Sequence, residues 1–551
     1  MVQQIDTPTR ILILIGLAFI GIDTLRHSEE RSGIRALLAG TLAVALLSAR
    51  LHQAFTPSFY ETRTERFTGT VIGDVQTSGA STTFGLQLDD GPKVLVDAGG
   101  AAPEVAARIR VRGRLEPFDE QRNPGEPSER AIQQERGYAA RIAAGRILAR
   151  LPPGKWSFAT AIAGLHRSAG ATLRTQLPEP SASILAGELW GERAALPPEL
   201  KAEFQETGTV HVLVTAGLHL GVVTLLMFSL LAALRVPRTA TCVLVSLTVW
   251  AYAVFSGFHL PAMRAAIMVS FALAARAYGA KALSLNALCA AAIIIALLRP
   301  ESVVSASFAL SFSCVGAIFA THDVIERGLA RYGESPKRLR EAVSLTIATQ
   351  IGTWPLIAAT FLAFMPYAVL ANVAVVPVVG LTMLLGFAQL LSAPIAPLAQ
   401  AIANLNSWLL AWMVDVVHLI ASLPGARIIM TPAPFWAIAG YDAAILLAFW
   451  CLRRAQPTAA CALLIFAVAL VLNPPRPIEH RLIISVLDVG QADGIVIQTP
   501  SGRTILVDAG GRLERGPHPD GESAAEHIGE RIVVPFLIRR GVHHVDAIFL
   551  S

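Results

Sequence analysis

The sequence predicts a polytopic α-helical membrane protein carrying a small soluble β-barrel domain and a second soluble region at its C-terminal end. Three observations predict it. Hydrophobic residues make up 53% and charged residues 15% of the 551-residue chain, against about 25% charged in soluble domains. Apolar runs recur through the second half at membrane-spanning length, and two stretches of period-two, glycine-punctuated sequence flank them. The length itself exceeds what one hydrophobic core organises. A net charge of +5 and a pI near 9.1 suit basic loops at a membrane face or a polyanionic partner. All five cysteines, Cys242, Cys289, Cys314, Cys451 and Cys461, lie in apolar runs without metal-ligand spacing, as small hydrophobes would.

Two apolar segments, Ile11 to Ile22 and Ile34 to Leu47, open the chain on either side of a basic turn. They predict a transmembrane hairpin over residues 1–50 that stays in the membrane, because no small-residue cleavage site follows the first. Residues 56–153 then turn charged and alternating. Phe67 to Val75, Thr83 to Leu88, Lys93 to Asp97 and Ala107 to Leu115 read as strands of a roughly five-stranded small barrel, with Asp89-Asp90-Gly91-Pro92 as a turn. An amphipathic helical connector over 154–208 leads back to the membrane. Between residues 209 and 472 about ten spans are expected, hardest to divide near Pro377, Pro394 and Pro397. From 478 to 551 strands return at Ile483 to Leu487, Gly494 to Thr499 and Thr504 to Val507, with Ser501-Gly502 as a hairpin turn. Arginine and lysine collect in alternate loops, among them Arg235, Arg238, Arg276, the 327–340 block, Arg453 and Arg454, and the same alternation places both soluble regions on the opposite, extracytoplasmic side.

Candidate functional residues follow from spacing. Arg108, Arg110, Arg112 and Arg114 fall on every second residue and would line one face of a strand while Ile109, Val111 and Leu115 enter the core. Such a face suits a groove that tracks the phosphates of single-stranded nucleic acid, or the charged protection of an exposed sheet edge. His211, Thr215 and His219 share a face if residues 209–234 are one helix, and Gly217 and Gly221 would form a close-packing seam on it. These histidines serve either helix packing or a polar pathway. Arg264 at the start of a span either lines a polar lumen or snorkels to the interface. Asp415 and His418 share a face, and Gln350, Asn372, Asn404 and Asn406 add intramembrane polar groups, which together suggest a polar interior.

With these residues in order, the chain resembles the ComEC family of membrane channels for DNA uptake in natural transformation. The resemblance runs through Asn123-Pro124-Gly125 with Glu135-Arg136-Gly137, Gly208-Thr209-Val210-His211 with Ala216-Gly217-Leu218-His219, and Met263-Arg264-Ala265. It continues through Ser307 to Phe312, Gln350 to Pro355, Asn372 with Pro377, and Leu487 to Gln491. Ala216 stands where the family usually has serine, and Ala492 where it usually has glycine. The resemblance implies an OB-like barrel, an inner-membrane channel for single-stranded DNA, a periplasmic DNA receptor, and a cytoplasmic motor or DNA-binding protein as partners. It also implies a metallo-β-lactamase-like C-terminal domain. That domain's His-x-His-x-Asp-His ligands would follow a strand like Val545 to Ser551, where the sequence stops, so an incomplete domain, no bound metal and no catalysis are expected of this chain. His518, His527, His543 and His544 lack the ligand spacing. A small-solute secondary transporter and a membrane-anchored metal-dependent nuclease are the alternative readings.

Overall fold

The computed structural model describes residues 63–550 apart from 79–80, 120, 125, 127, 153–157, 193–195, 214–216, 278–283, 299–301, 304, 332–335, 473–480, 490–492 and 511–528. The expected hairpin over residues 1–50 lies outside the described residues, as do Thr215, Ala216, the Gly490-Gln491 turn, His518 and His527.

Five strands, β1 (Arg63–Ser78), β2 (Ser81–Leu88), β3 (Lys93–Gly99), β4 (Arg108–Glu116) and β5 (Ala140–Leu151), close a barrel in the order β1-β2-β3-β5-β4. β1 can pair with both β2 and β4 because it bends at two register shifts around Gly73, whose φ of 138° suits glycine. Alternation fills the interior: Val71, Phe84, Leu86, Val96, Ile109, Val111 and Ile142 form its core. A short helix, α1 (Glu129–Glu135), precedes β5. β5 itself, rich in alanine and arginine, is the strand that periodicity alone did not single out.

Ten helices fill residues 217–472 among the described residues: α5 (Gly217–Ala233), α6 (Arg238–Phe255), α7 (Leu260–Ala277), α8 (Ser284–Leu298), α9 (Ala306–Arg331), α10 (Lys337–Phe361), α11 (Ala368–Leu391), α12 (Ala396–Ala421), α13 (Phe435–Arg453) and α14 (Pro457–Leu472). They follow the predicted runs closely. Six of them (α6, α7, α9, α10, α11 and α13) are long and apolar enough to cross a membrane, and α5, α14 and the Leu285–Ala296 stretch of α8 are shorter apolar helices. Large apolar side chains such as Leu225, Leu247, Trp408, Leu447, Ile465 and Phe466 face outward, while Thr382, Gln389 and Asn406 are buried inside. That inversion is the mark of a bundle whose solvent is lipid, which fits a multi-pass membrane protein. Where α9 and α10 cross, a Cβ on Gly352 would collide with Ala317 and come within 2.8 Å of the Ser313 carbonyl oxygen, so only glycine permits the approach.

The connector over 154–208 enters the bundle. α2 (Phe158–Gln176) and α3 (Ser181–Trp190) form a helical hairpin whose tip packs beside the α11–α12 connection, where Gln389 Nε2 donates to Gln176 Oε1 at 2.9 Å. Farther along α2, His166 Nε2 donates to the Phe255 carbonyl at the opposite end of the bundle. Every residue of α3 is buried, and Leu185 and Leu189 pack on Gly386. α4 (Pro198–Glu206) then runs to the C-terminal end of α12, where His418 Nδ1 pairs with Glu203 at 2.9 Å.

The C-terminal strands β8 (Ile483–Val486), β9 (Ile495–Gln498) and β10 (Thr504–Val507) appear as predicted, and Gly502 takes a φ of 83° in the hairpin turn. β11 (Ala547–Phe549) adds in parallel to β10, giving the order β11-β10-β9-β8, and α15 (Val534–Arg539) covers one side. This sheet meets the bundle where the two-stranded pair β6 (Ala363–Phe364) and β7 (Ile428–Ile429) lies: Thr431 Oγ1 and His543 Nε2 are 2.9 Å apart. It also meets the barrel, through Asn123 and Asp488. Both soluble regions therefore occupy one end of the bundle. The arginine-bearing turns at Arg235, Arg331 and Arg453 occupy the other, because successive helices run antiparallel.

Candidate nucleic-acid interface and polar interior

Alternation along β4 places its arginines as the spacing predicts: Ile109 and Val111 are fully buried, while Arg110, Arg112 and Arg114 are exposed and Arg108 is half-buried. Closure of the barrel removes the edge. β4 is hydrogen-bonded to β1 on one side and β5 on the other, so the edge-protection account of these arginines has nothing to protect.

Closure also brings in arginines that the linear pattern could not reveal. Arg112 stands opposite Arg66 on β1 and opposite Arg146 on β5, and all three are exposed. Directly paired residues share a face about 4.5–5.5 Å apart, and like charges so placed repel. Among the described residues Arg66, Arg110, Arg112 and Arg146 make no ion pair. The ends of the row are neutralised: Arg108 bonds Asp89 at 2.6 Å and Arg114 meets Glu116 at 2.9 Å. The hydrogen bond to Asp89 raises the Arg108 pKa above its ordinary value.

One further barrel arginine is paired with several carboxylates. Arg141 reaches Glu116 at 3.0 Å, Glu129 at 3.3 Å and Asp97 at 3.8 Å. Burial works against its charge, and the surrounding carboxylates outweigh burial, so its pKa rises. Burial also pushes the Glu129 carboxyl above its ordinary value, with Arg141 opposing. The barrel thus separates a satisfied acidic–basic cluster from an uncompensated basic stripe.

The polar residues of the bundle divide. Of the expected shared helix face of His211, Thr215 and His219, Thr215 lies outside the described residues, His211 belongs to a 3-10 turn, Val210–Leu213, and His219 to α5. The turn is set by Gly208, whose φ of 72° and contact with Ala368 leave no room for a side chain. His211 is exposed and His219 fully buried. Of the expected glycine seam, Gly217 packs against Arg264 and Ala265 of α7, whereas Gly221 faces open space. Arg264 is 9% exposed, so it does not snorkel. Asn372 is buried with its Oδ1 unpartnered, and Gln350 is half-buried. Asp415 and His418 are both exposed, and His418 turns to Glu203 rather than to Asp415. Asn404 is exposed and accepts from Gln400, while buried Asn406 donates to the Thr382 carbonyl. Sequence spacing missed Glu188 on α3, fully buried and held by Thr382 Oγ1 at 2.7 Å.

Among the described residues no group of three or more His, Cys, Asp or Glu side chains could hold a metal ion. At the ends of the C-terminal strands, the Asp488 carboxylate points to Arg122 at 3.8 Å instead. The described residues do not fit a metal centre.

A family model described as "Competence protein" matches residues 189–487. The chain is 25% identical over 385 residues to ComE operon protein 3 of Bacillus subtilis (strain 168), covering 68% of this chain and 48% of that protein. It is 27% identical over 396 residues to the uncharacterized protein YcaI of Escherichia coli (strain K12), covering 67% of this chain and 48% of that protein. The chain therefore spans about half the length of the curated relatives it matches. No solved structure matches.

Proposed function

The chain belongs to the competence protein (ComEC) family, and on that premise we propose that it is an inner-membrane conduit that binds single-stranded DNA on its barrel and passes the strand inward through the helical bundle. The stripe of Arg66, Arg112 and Arg146 carries this reading. Adjacent guanidinium groups without carboxylates destabilise the free barrel, and a polyphosphate backbone relieves that repulsion whatever its base sequence. The strand order is that of an OB-like barrel, a fold that binds oligonucleotides. The buried amides and hydroxyls of α10 to α12 supply the polar interior a conduit needs. The C-terminal sheet reads as the opening of a metallo-β-lactamase-like domain placed beside the barrel, and both soluble regions lie extracytoplasmically under this proposal. Partners that deliver and pull the strand, a periplasmic DNA receptor and a cytoplasmic motor, belong to the same reading.

The test uses the full chain in detergent micelles and a fluorescent oligothymidylate. Binding should weaken linearly with the logarithm of salt concentration, and replacing Arg66, Arg112 and Arg146 by glutamine should reduce that slope by about 2, near 0.7 for each phosphate no longer neutralised. An unchanged slope in the triple variant would remove the stripe from the strand's path.

A further inference from the structure

Arg264 is the fifth residue of α7, and among the described residues it makes no ion pair, its nearest ionisable neighbour being the Cys314 thiol. Its Nε and Nη1 have no hydrogen-bond partner, and its side chain is more than nine-tenths buried. The guanidinium carbon stands 5.8 Å from the ring centroid of Phe312 on α9. On the other side, Nη2 lies 3.5 Å from where a Cβ on Gly217 would be, so the charged group is laid against the first residue of α5.

That placement inverts the usual electrostatics. The first amides of a helix have no intrahelical acceptor, and the helix N-terminus carries a partial positive charge that favours anions. Here a buried cation sits beside the N-terminus of α5. α7 and α9 begin at the same end of the bundle, and Arg264 and Phe312 lie within their first two turns. The N-terminus of α5 and an unsatisfied guanidinium therefore lie side by side. An anion satisfies all of these groups together.

We propose that Arg264 and the N-terminal turn of α5 form a binding site for one phosphodiester group, the first station inside the bundle for a strand arriving from the barrel end. The proposal rests on the DNA-conduit reading for its ligand and on its own geometry for the site. A guanidinium suits a phosphodiester because its planar donors engage two oxygens of one phosphate. The position suits it because the N-terminus of α5 lies at the end of the bundle where the soluble regions lie. Free phosphate and a lipid headgroup offer related chemistry, and the experiment separates them.

The full chain is purified in micelles of an uncharged detergent, and its thermal midpoint is followed against dimethyl phosphate, inorganic phosphate, phosphatidylglycerol and matched sodium chloride. Dimethyl phosphate should raise the midpoint saturably where chloride does not. Arg264→Met should weaken its binding at least tenfold, and Arg264→Lys should retain part of it. The Arg66, Arg112 and Arg146 glutamine variant should keep the dimethyl phosphate response even where it loses oligothymidylate, so failure at the barrel and failure at this site read differently. Because Arg264→Met can fail to fold, the wild-type protein is also treated with phenylglyoxal and Arg264 modification is read by mass spectrometry. Protection by dimethyl phosphate supports the site. A response to phosphatidylglycerol or inorganic phosphate alone, equal midpoints for wild type and Arg264→Met, or an Arg264 that phenylglyoxal never reaches would each overturn it.

Discussion

The side chain of Asn123 pairs with the backbone of Asp488 in both directions, its Nδ2 donating to the Asp488 carbonyl at 2.8 Å and its Oδ1 accepting from the Asp488 N–H at 2.7 Å. A side-chain amide here imitates a neighbouring strand. It ties the loop after β4 to the end of β8, across 365 residues of sequence, and Glu126 steadies the arrangement by accepting from the Asn123 side chain at 3.1 Å. The barrel is thereby held in a fixed orientation to the C-terminal sheet, with Arg122 reaching Asp488 at 3.8 Å as a weaker second tie.

Replacing Asn123 by alanine removes both bonds, each with a net worth of about 0.5–1.5 kcal/mol. Hydrogen exchange of the Asp488 amide in the full chain should accelerate by roughly tenfold or more, while exchange in β2 and β3 stays as in the wild type. Equal protection of Asp488 in both proteins would show that other contacts hold the two regions together.

Glu129 makes the barrel's stability depend on pH. Its folded pKa lies above the unfolded value, with burial as the main cause. A raised carboxyl binds its proton more tightly in the folded state, so its contribution is fully present below the ordinary glutamate pKa of about 4.3 and is lost as pH rises through the folded value. Compared with Glu129→Gln at each pH, the wild-type barrel should therefore lose urea resistance as pH rises above the ordinary glutamate pKa of about 4.3, read as exchange of the β5 amides. A wild-type barrel that gains resistance over that range relative to the variant would reverse the assignment.

Among the described residues the Thr382 hydroxyl donates to the fully buried Glu188 at 2.7 Å, and the other carboxyl oxygen, Oε1, is unpartnered. Glu188→Gln keeps an acceptor for Thr382 and removes a buried ionisable group, so it should leave the thermal midpoint unchanged or raised. Thr382→Val strips the carboxyl of that donor and should cost about 1–3 kcal/mol. Destabilisation by Glu188→Gln as large as that by Thr382→Val would mean that the charge itself is required.

The ends of the bundle give a topological prediction. In a background without native cysteines, Asp90→Cys on the β2–β3 turn and Ser501→Cys on the β9–β10 turn should react with an impermeant thiol reagent from the same side of the membrane. Arg454→Cys, between α13 and α14, should react only from the other. Labelling of all three from one side would break the antiparallel order of the helices.

Hydropathy and alternation are local properties, and what depends on them was legible in the sequence. The ten helices between Gly217 and Leu472, the three C-terminal strands with their Gly502 turn, and the outward alternation of Arg110, Arg112 and Arg114 all follow from which side chains water or lipid accepts. The tertiary structure alone decided the rest, because it depends on pairing between distant segments. Barrel closure through β5 cancelled the edge and set Arg66 and Arg146 beside Arg112, a register no single strand encodes. The structure places His211 in the 3-10 turn Val210–Leu213 and His219 in α5, where an uninterrupted apolar run had joined them into one expected helix. The same holds for Arg264: a guanidinium near a helix start can reach water or stay inside, and only the packing of α5 and α9 around it fixed the buried, uncompensated position.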